Sequence, residues 1–189
     1  MLEVEMPLHA LDLGCGRGRI AIQLARFGIH VTAVDCSTRF ITQINEQAVR
    51  NKLPLCGVVA DIIEYRPSIE FDLVVLSFVL HLIPKHDRTK VLCNVRQLTQ
   101  TQGLNLFMGF NDRTIANELN EAYLLSNTPS WEIIEDLVFN AQTISGNLFA
   151  ARSLIITRSI PSSNSSSRMA KTFAIASMIT SSITQQTAS

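Results

Sequence analysis

Four residues near the start of the chain combine a carboxylate with a flexible backbone. Asp12 lies in an apolar run that predicts a buried strand, and Gly14, Gly16 and Gly18 follow it. Glycine at alternate positions allows a sharp turn and the close approach of a ligand, because no Cβ atom stands in the way. An amphipathic helix pattern follows directly. The stretch therefore predicts the strand–turn–helix corner that binds nucleotides in doubly wound α/β folds.

Two details indicate which nucleotide this corner binds. A dinucleotide fingerprint has the spacing G-x-G-x-x-G, but here the third glycine comes one residue early, at Gly18, and Arg19 stands at the fingerprint position. In addition, the Asp12 carboxylate would repel a pyrophosphate at the helix N-terminus. It suits a ligand with positive charge, such as an ammonium or a sulfonium. The pattern therefore favours S-adenosylmethionine over NAD and disfavours the alternative of an NAD-dependent oxidoreductase.

The segment Leu11–Gly18 resembles motif I of the class I (seven-strand) S-adenosylmethionine-dependent methyltransferases. From Ala10 to about Ile156 the layout is most similar to the tellurite-resistance branch, with Phe-Gly-Ile-His-Val-Thr-Ala-Val-Asp at 27–35 and Trp131 opening a sixth strand. The resemblance implies an α/β fold: a doubly wound, mostly parallel seven-stranded sheet with helices on both faces and an antiparallel C-terminal hairpin strand. It also implies S-adenosylmethionine as the cofactor and methyl transfer as the activity.

The sequence departs from that branch in two places. The tellurite-resistance enzymes carry a histidine and an arginine between the last two strands, whereas Asn140–Asn147 contains neither. The helices that precede the first strand in this class, and that often close over the substrate, have no apparent counterpart before His9. The resemblance therefore supports cofactor binding more strongly than any particular methyl acceptor.

Two further aspartates end predicted strands, as Asp12 does. Asp35 and Asp61 each follow a run of apolar or β-branched residues. The carboxyl ends of parallel strands share one crevice, so we expect all three carboxylates to face it, with Asp35 accepting the ribose hydroxyls. Each could instead cap a helix, but three at successive strand ends favour a shared ligand. The resemblance implies that Asp61 binds the adenine amine, that Ile62 covers the adenine ring, and that Asp12 lies near the methionine end.

The segment after the fourth predicted strand is a second candidate region. The segment 77–84 resembles the part of related small-molecule methyltransferases that lines the methyl-transfer cleft, and Ser77, Phe78 and Val79 are predicted to contact the cofactor. His81 is the candidate catalytic residue, because histidine can act as a general base near neutral pH; the alternative is a structural role, as in many relatives. No acidic pair follows this strand, so no metal site is predicted. The predicted cofactor-binding residues are Asp12, Gly14, Cys15, Gly16, Gly18, Asp35, Cys36, Asp61, Ile62, Ser77 and Phe78.

Apolar periodicity predicts alternating strands and helices, followed by an antiparallel hairpin. Gly28 is predicted to end the first helix, Ser37 or Thr38 to cap the second, Asp87 to open the third, and a fourth is predicted around Ile115–Tyr123. The predicted strands are 10–13, 30–34, 55–60, 71–76, 104–110, 131–139 and 150–157.

Length and composition predict one domain. The 189 residues carry no net charge, so we expect no nucleic-acid or membrane partner. The four cysteines do not have the C-x-x-C spacing of a metal or redox site. We therefore predict that they are reduced thiols in a cytoplasmic protein. We predict a methyltransferase domain over 1–158. The Ser/Thr-rich segment 159–189 is predicted to be disordered, or at most weakly helical around Phe173–Ile179.

The absence of two motifs restricts the predicted chemistry to small acceptors. No Asn-Pro-Pro-Tyr type segment follows the fourth predicted strand, and no Pro-Cys pair supplies a nucleophile for cytosine chemistry. We therefore expect methyl transfer by in-line displacement to a small-molecule or oxyanion acceptor, tellurite included. Alignment of the reactants alone can lower such a barrier by about 7–11 kcal/mol. The alternative is a degenerate S-adenosylmethionine-binding module without turnover. The oligomeric state is unknown from sequence.

Overall fold

A computed structural model describes residues 8–112, 117–119, 131–142, 147–158 and 167–185. The described part contains seven strands: β1 (His9–Leu13), β2 (His30–Asp35), β3 (Leu55–Val59), β4 (Phe71–Ser77), β5 (Thr99–Phe110), β6 (Trp131–Gln142) and β7 (Leu148–Arg158). Its long helices are α1 (Arg19–Arg26), α2 (Thr38–Arg50), α3 (Lys85–Leu98) and α4 (Ser167–Gln185), and a 3₁₀ turn spans Leu80–Leu82.

The strands form one sheet in the order β3-β2-β1-β4-β5-β7-β6. Strands β1 to β5 pair in parallel, whereas β7 lies between β5 and β6 and is antiparallel to both. The predicted fold class is confirmed, including the last strand inserted beside the fifth. Because β1 to β5 are parallel, their carboxyl ends lie at the same edge of the sheet, and the glycine turn follows β1 at that edge.

The structure confirms the residues predicted to end α1 and to cap α2. Gly28 has φ +80° and its N–H donates to Ala25 O at 3.0 Å, which ends α1 as predicted. The Ser37 side chain accepts from the Phe40 N–H and caps α2. Further along, α3 begins two residues before Asp87 and β5 begins at Thr99, five residues earlier than predicted, because the chain enters the strand directly from the helix.

Each face of the sheet is covered by its own apolar cluster. On one face, α3 packs Val91, Leu92 and Val95 against the sheet. On the other, α1, α2 and α4 pack against residues such as Val75 and Leu106. Strand β4 is buried along six of its seven residues, as a central parallel strand should be.

The structure differs from the prediction in the Ser/Thr-rich segment. Residues 167–185 form α4, whose Ala176 and Ile179 are fully buried against the sheet. Thr180 Oγ1 lies 3.2 Å from Ser153 Oγ of β7, and it also donates to Ala176 O within the helix. Small side chains let the helix approach the sheet closely, and their hydroxyls find partners there. The composition that suggests disorder therefore also permits a tightly seated helix.

Parts of two predictions lie outside the described residues. Of the fourth predicted helix, only 117–119 is described, and it is helical. The middle of the hairpin link, 143–146, is also outside the described residues. Among the helices that the structure describes, none is both long and apolar enough to cross a membrane.

Candidate cofactor site

A cleft of about 600 Å³ opens at the carboxyl edge of the sheet, beside the glycine turn. Most predicted site residues line it. They are Gly14, Cys15, Gly16, Asp35, Cys36, Asp61, Ile62, Ser77 and Phe78. The remaining wall is formed by residues of α2 and of the segment after β4. The structure therefore brings together residues from the ends of β1, β2, β3 and β4.

The glycine turn is held against β2 by backbone hydrogen bonds. The N–H groups of Gly14 and Cys15 both donate to Val34 O, at 2.8 and 3.0 Å. Gly14 has φ +72°, and a Cβ atom there would lie 2.3 Å from Val79 Cγ2. Glycine is thus required at this position both by the backbone conformation and by the packing.

Gly16 and Gly18 serve different purposes. A Cβ atom on Gly18 would lie 2.6 Å from Ile44 Cγ1, so this glycine lets the turn pack closely on α2. Gly18 is buried and does not line the cleft. A Cβ atom on Gly16 would meet nothing within 4 Å, and Gly16 faces the cleft. Of the two, Gly16 is the glycine that leaves space for a ligand.

Asp35 joins the glycine turn to the start of α2. Its Oδ2 accepts the Gly16 N–H at 2.8 Å, and its Oδ1 accepts the Ser37 N–H at 2.9 Å. Each carboxylate oxygen has a second lone pair, so both can also accept a hydroxyl from a ligand. The two backbone bonds fix the orientation of the carboxylate before any ligand binds.

Asp12 lies beneath the cleft rather than in it. Its side chain is only 1% exposed, and its Oδ2 accepts the Ala21 N–H of α1 at 3.1 Å. Burial raises the pKa of Asp12 to about 7, with a smaller contribution from Asp35, against the lowering effect of the Ala21 bond. The Asp12 carboxylate therefore already accepts a hydrogen bond from one of the N–H groups at the start of α1, which a bound pyrophosphate would otherwise use.

The residues after β3 form the opposite wall. Asp61 Oδ1 accepts the Ile63 N–H at 2.8 Å, and the Asp61 carboxylate stands at the exposed rim of the cleft. Ile62 is 8% exposed and presents an apolar surface to the cleft.

Two cysteines also line the cleft. Burial raises the pKa of the Cys15 thiol, which is therefore protonated at neutral pH, whereas Cys36 is exposed.

Phe78 has a strained backbone at the cleft wall. Its φ is +51°, a left-handed conformation that is rare for aromatic residues, and its N–H donates to Met108 O at 2.7 Å. The ring makes edge contacts with Phe110 and Phe149, with centroid distances of 5.8 and 5.7 Å. Strain of this kind persists only where the surroundings enforce it, and it concentrates at functional sites.

His81 does not line the cleft. It lines a second cavity, which lies between the 3₁₀ turn, the end of β5 and the neighbouring part of β7, and which we call the β5 cavity. Its ring contacts the edge of Phe110 at a centroid distance of 4.7 Å. Burial and the nearby Arg88 lower the pKa of His81, so the imidazole is neutral at neutral pH.

Further residues line the cleft besides the predicted cofactor-binding residues. Phe40 of α2 lines the cleft, with the Arg17 guanidinium 6.0 Å from its ring centroid. Val79, Ile83 and Pro84 line the side opposite α2. These three belong to the candidate region predicted after the fourth strand, whereas no sequence pattern indicates that Phe40 lines the cleft.

The charges that line the cleft disfavour a phosphate ligand. Among the described residues that line it, the ionisable ones are two cysteines and the carboxylates Asp35 and Asp61, and none is a lysine or an arginine. A nucleotide phosphate would find no cationic side chain there. A ligand that combines adenosine with a positively charged amino acid fits this arrangement.

Residues 10–103 match the family model of the methyltransferase domain. The chain belongs to the class I S-adenosylmethionine-dependent methyltransferases, whose seven-stranded sheet it shares. S-adenosylmethionine is the cofactor of this family. Within the family, the chain is close to the TehB proteins.

The relatives are distant from this chain in sequence. The chain is 26% identical over 141 residues to "Probable S-adenosyl-L-methionine-dependent methyltransferase TehB" of Haemophilus influenzae, a match that covers 68% of the chain and 48% of the relative. The chain thus spans about half the length of this curated relative. The crystal structure of TehB from Haemophilus influenzae has a TM-score of 0.66 at 22% identity, covering 83% of this chain and 59% of that one.

A second solved structure shares the fold. N-methyltransferase NodS from Bradyrhizobium japonicum, in complex with S-adenosyl-L-homocysteine, has a TM-score of 0.65 at 16% identity. The match covers 82% of this chain and 79% of NodS. At such low identities the similarity to these structures supports the fold and does not identify the methyl acceptor.

Proposed function

We propose that the protein binds S-adenosylmethionine in the cleft and catalyses methyl transfer to a small-molecule or oxyanion acceptor. The observation that carries the proposal is the chemistry of the cleft, in which an open Gly16 backbone and two carboxylates line a space with no basic side chain among the described residues. When bound, the cofactor supplies an activated methyl group that an acceptor takes by in-line displacement.

The residues of the chain would hold the cofactor by its three parts. Asp35 would accept the ribose hydroxyls, since its oxygens are oriented by Gly16 and Ser37. Asp61 would accept from the adenine amine while Ile62 covers the ring. Asp12 would act from below, because its carboxylate fixes the start of α1 by accepting the Ala21 N–H.

Calorimetry and a product assay together test this proposal. We expect S-adenosylhomocysteine to bind with one site per chain and NADH to bind more weakly. S-adenosylhomocysteine formation is then followed with thiols, oxyanions (tellurite among them) and quinol-like acceptors. Tighter binding of NADH would contradict the cofactor assignment. Cofactor binding without turnover across the panel would favour the alternative, a binding module that has lost catalysis.

We also propose a cytoplasmic location. All four cysteines are free in the structure, and Cys36, Cys56 and Cys93 are exposed. Exposed unpaired thiols persist in a reducing compartment. Labelling of the native protein, purified under non-reducing conditions, with a thiol-specific reagent tests this, and we expect the exposed cysteines to react.

A further inference from the structure

One wall of the cofactor cleft is a short connection between β4 and α3. It runs over residues 78–84, and we call it the β4–α3 connection. Its backbone hydrogen bonds within itself are those of the 3₁₀ turn, from Leu82 N–H to Val79 O and from Ile83 N–H to Leu80 O. Contacts from neighbouring elements must therefore fix where this wall stands. The members of the connection that line the cleft are Phe78, Val79, Leu82, Ile83 and Pro84.

The end of the connection next to β4 is held by the sheet and by the glycine turn. Phe78 N–H donates to Met108 O of β5 at 2.7 Å. Val79 packs directly against Gly14, where a Cβ atom would lie 2.3 Å from Val79 Cγ2. This end of the wall is thus fixed against backbone that itself faces the cleft.

The end of the connection next to α3 is held by Arg88, in the first turn of that helix. Arg88 Nε donates to Ile83 O at 3.0 Å. The Arg88 side chain is only 15% exposed, so this bond is stronger than it would be in water. Arg88 also lies close to the 3₁₀ turn, since it adds to the effect of burial in lowering the pKa of His81. One guanidinium therefore acts on both the turn and the residue that follows it.

The same guanidinium binds Glu118, in the helical residues 117–119 that come after β5. Arg88 Nη1 lies 3.2 Å from Glu118 Oε2 and 3.4 Å from Oε1, and the Glu118 side chain is 14% exposed. Next to it, Leu119 is buried in the same apolar cluster as Ile83. Removal of either partner would leave a largely buried charge without compensation. Glu118 therefore orients Arg88 while Arg88 holds Ile83.

We propose that Arg88 is a positioning residue of the cofactor cleft, which keeps Ile83 in place for S-adenosylmethionine, and that Glu118 orients Arg88 from the segment after β5. This inference rests on the proposed function and adds to it two residues outside the cleft. Neither Arg88 nor Glu118 is among the described residues that line the cleft, so both act through the β4–α3 connection. A purely structural ion pair would change the stability of the fold alone, whereas a positioning pair also changes the cofactor affinity of the folded protein.

Calorimetry with S-adenosylhomocysteine tests the role of Arg88. Arg88→Gln should weaken binding about tenfold, because Ile83 O loses a charged donor. Glu118→Gln should weaken it by a smaller factor, about threefold, since the amide oxygen can still accept from the guanidinium. Lys90→Gln is the matched control. Lys90 lies on the same helix and pairs with Glu64, but these two side chains are 48% and 70% exposed, and we expect unchanged affinity.

A charge swap separates positioning from stability. Arg88→Glu combined with Glu118→Arg restores opposite charges, but it moves the guanidinium to position 118, away from Ile83 O. The free energy of unfolding in urea should recover relative to either single reversal. The affinity for S-adenosylhomocysteine should stay about tenfold below that of the wild type. An affinity that recovers together with the stability would mean that the pair is only structural, which would overturn the proposal.

Hydrogen exchange provides a measurement without any ligand. The N–H groups of Leu82 and Ile83 should exchange faster in Arg88→Gln than in the wild type, and at the wild-type rate in Lys90→Gln. If S-adenosylhomocysteine does not bind the wild-type protein, the proposed function and this inference both fall. If it binds wild type and Arg88→Gln equally well, or if the exchange rates do not change, only this inference is overturned.

Discussion

The two halves of the sheet bring together the residues of the cleft and of the β5 cavity in different ways. In the half formed by β1 to β3, the ligand-facing groups are backbone amides and carboxylates at the ends of adjacent strands, as with Gly16 and Asp35, which one hydrogen bond joins across 19 residues of chain. In the half formed by β4 to β7, the equivalent features come from distant segments, such as His81, Phe110 and Arg152 around one cavity. The first half is specified locally, whereas the second depends on the completed fold.

Asp35→Ala should have the largest effect, and it falls in the first half. Loss of two charge-assisted hydrogen bonds to the ribose, together with the anchor for Gly16, should weaken S-adenosylhomocysteine binding about 1,000-fold, or about 4 kcal/mol. Isothermal titration calorimetry measures this. Glu46→Ala on the exposed side of α2 is the control. An unchanged affinity in Asp35→Ala would remove Asp35 from the site.

Ile179→Ala probes how firmly α4 belongs to the second half. Ile179 is fully buried, so the cavity left behind should lower the free energy of unfolding by about 3 kcal/mol in urea. The neighbouring Met178, 44% exposed, provides the comparison, and Met178→Ala should stay within about 0.5 kcal/mol of wild type. Equal small effects in both variants would mean that α4 is not seated on the sheet in solution.

Gly18→Ala and Gly16→Ala separate packing from ligand access within the glycine turn. Both residues have positive φ, so each variant should lose about 1 kcal/mol through backbone strain. Gly18→Ala should lose about 2 kcal/mol more, because its methyl group meets Ile44. Urea unfolding reports this difference. Calorimetry should in turn show the greater loss of cofactor affinity in Gly16→Ala, and the reverse order would contradict the division of roles.

The pH dependence of stability follows from the buried Asp12, and its effect per unit of pH is the smallest of those predicted. The pKa of Asp12 is raised from 3.8 to about 7 in the folded protein, so between these values the native state binds more protons than the unfolded state. The contribution of Asp12 to stability is therefore present at low pH and is lost as the pH rises toward 7, by up to about 1.4 kcal/mol per pH unit.

Asp12→Asn isolates this contribution. The amide oxygen can still accept the Ala21 N–H, but it does not titrate. The difference in unfolding free energy between wild type and variant, measured in urea from pH 5 to 7.5, should therefore change steadily with pH. A constant difference would show that Asp12 stays ionised throughout this range.

The sequence predicts the sheet and the glycine turn well, because both depend on short-range patterns. Gly14 and Asp35 can be assigned to one edge once β1 and β2 are identified as parallel strands. The burial of Asp12 is harder to foresee, since its spacing from Gly14 is the same whether the carboxylate points into the cleft or toward Ala21. Its partner is an amide of α1, and side-chain direction decides between the two.

The remaining differences arise from tertiary contacts that leave no local pattern. His81 follows β4 in a run that faces the cleft up to Val79, and the 3₁₀ turn then rotates the histidine toward β5. In α4, serine and threonine suggest solvent exposure, but Thr180 and Ser153 supply partners for each other across a helix–sheet contact. Neither the turn direction nor that pairing is encoded within one segment.

The position of β7 also determines when the molecule can be completed during synthesis. Strand β5 pairs with β7 from Leu104↔Thr157 onward, so its outer edge has no strand beside it until residues 148–158 have left the ribosome. Strand β6 is made earlier but contacts the sheet through β7. A nascent chain that stalls before Leu148 would hold five strands with an open apolar edge, which is an aggregation-prone species that chaperones recognise.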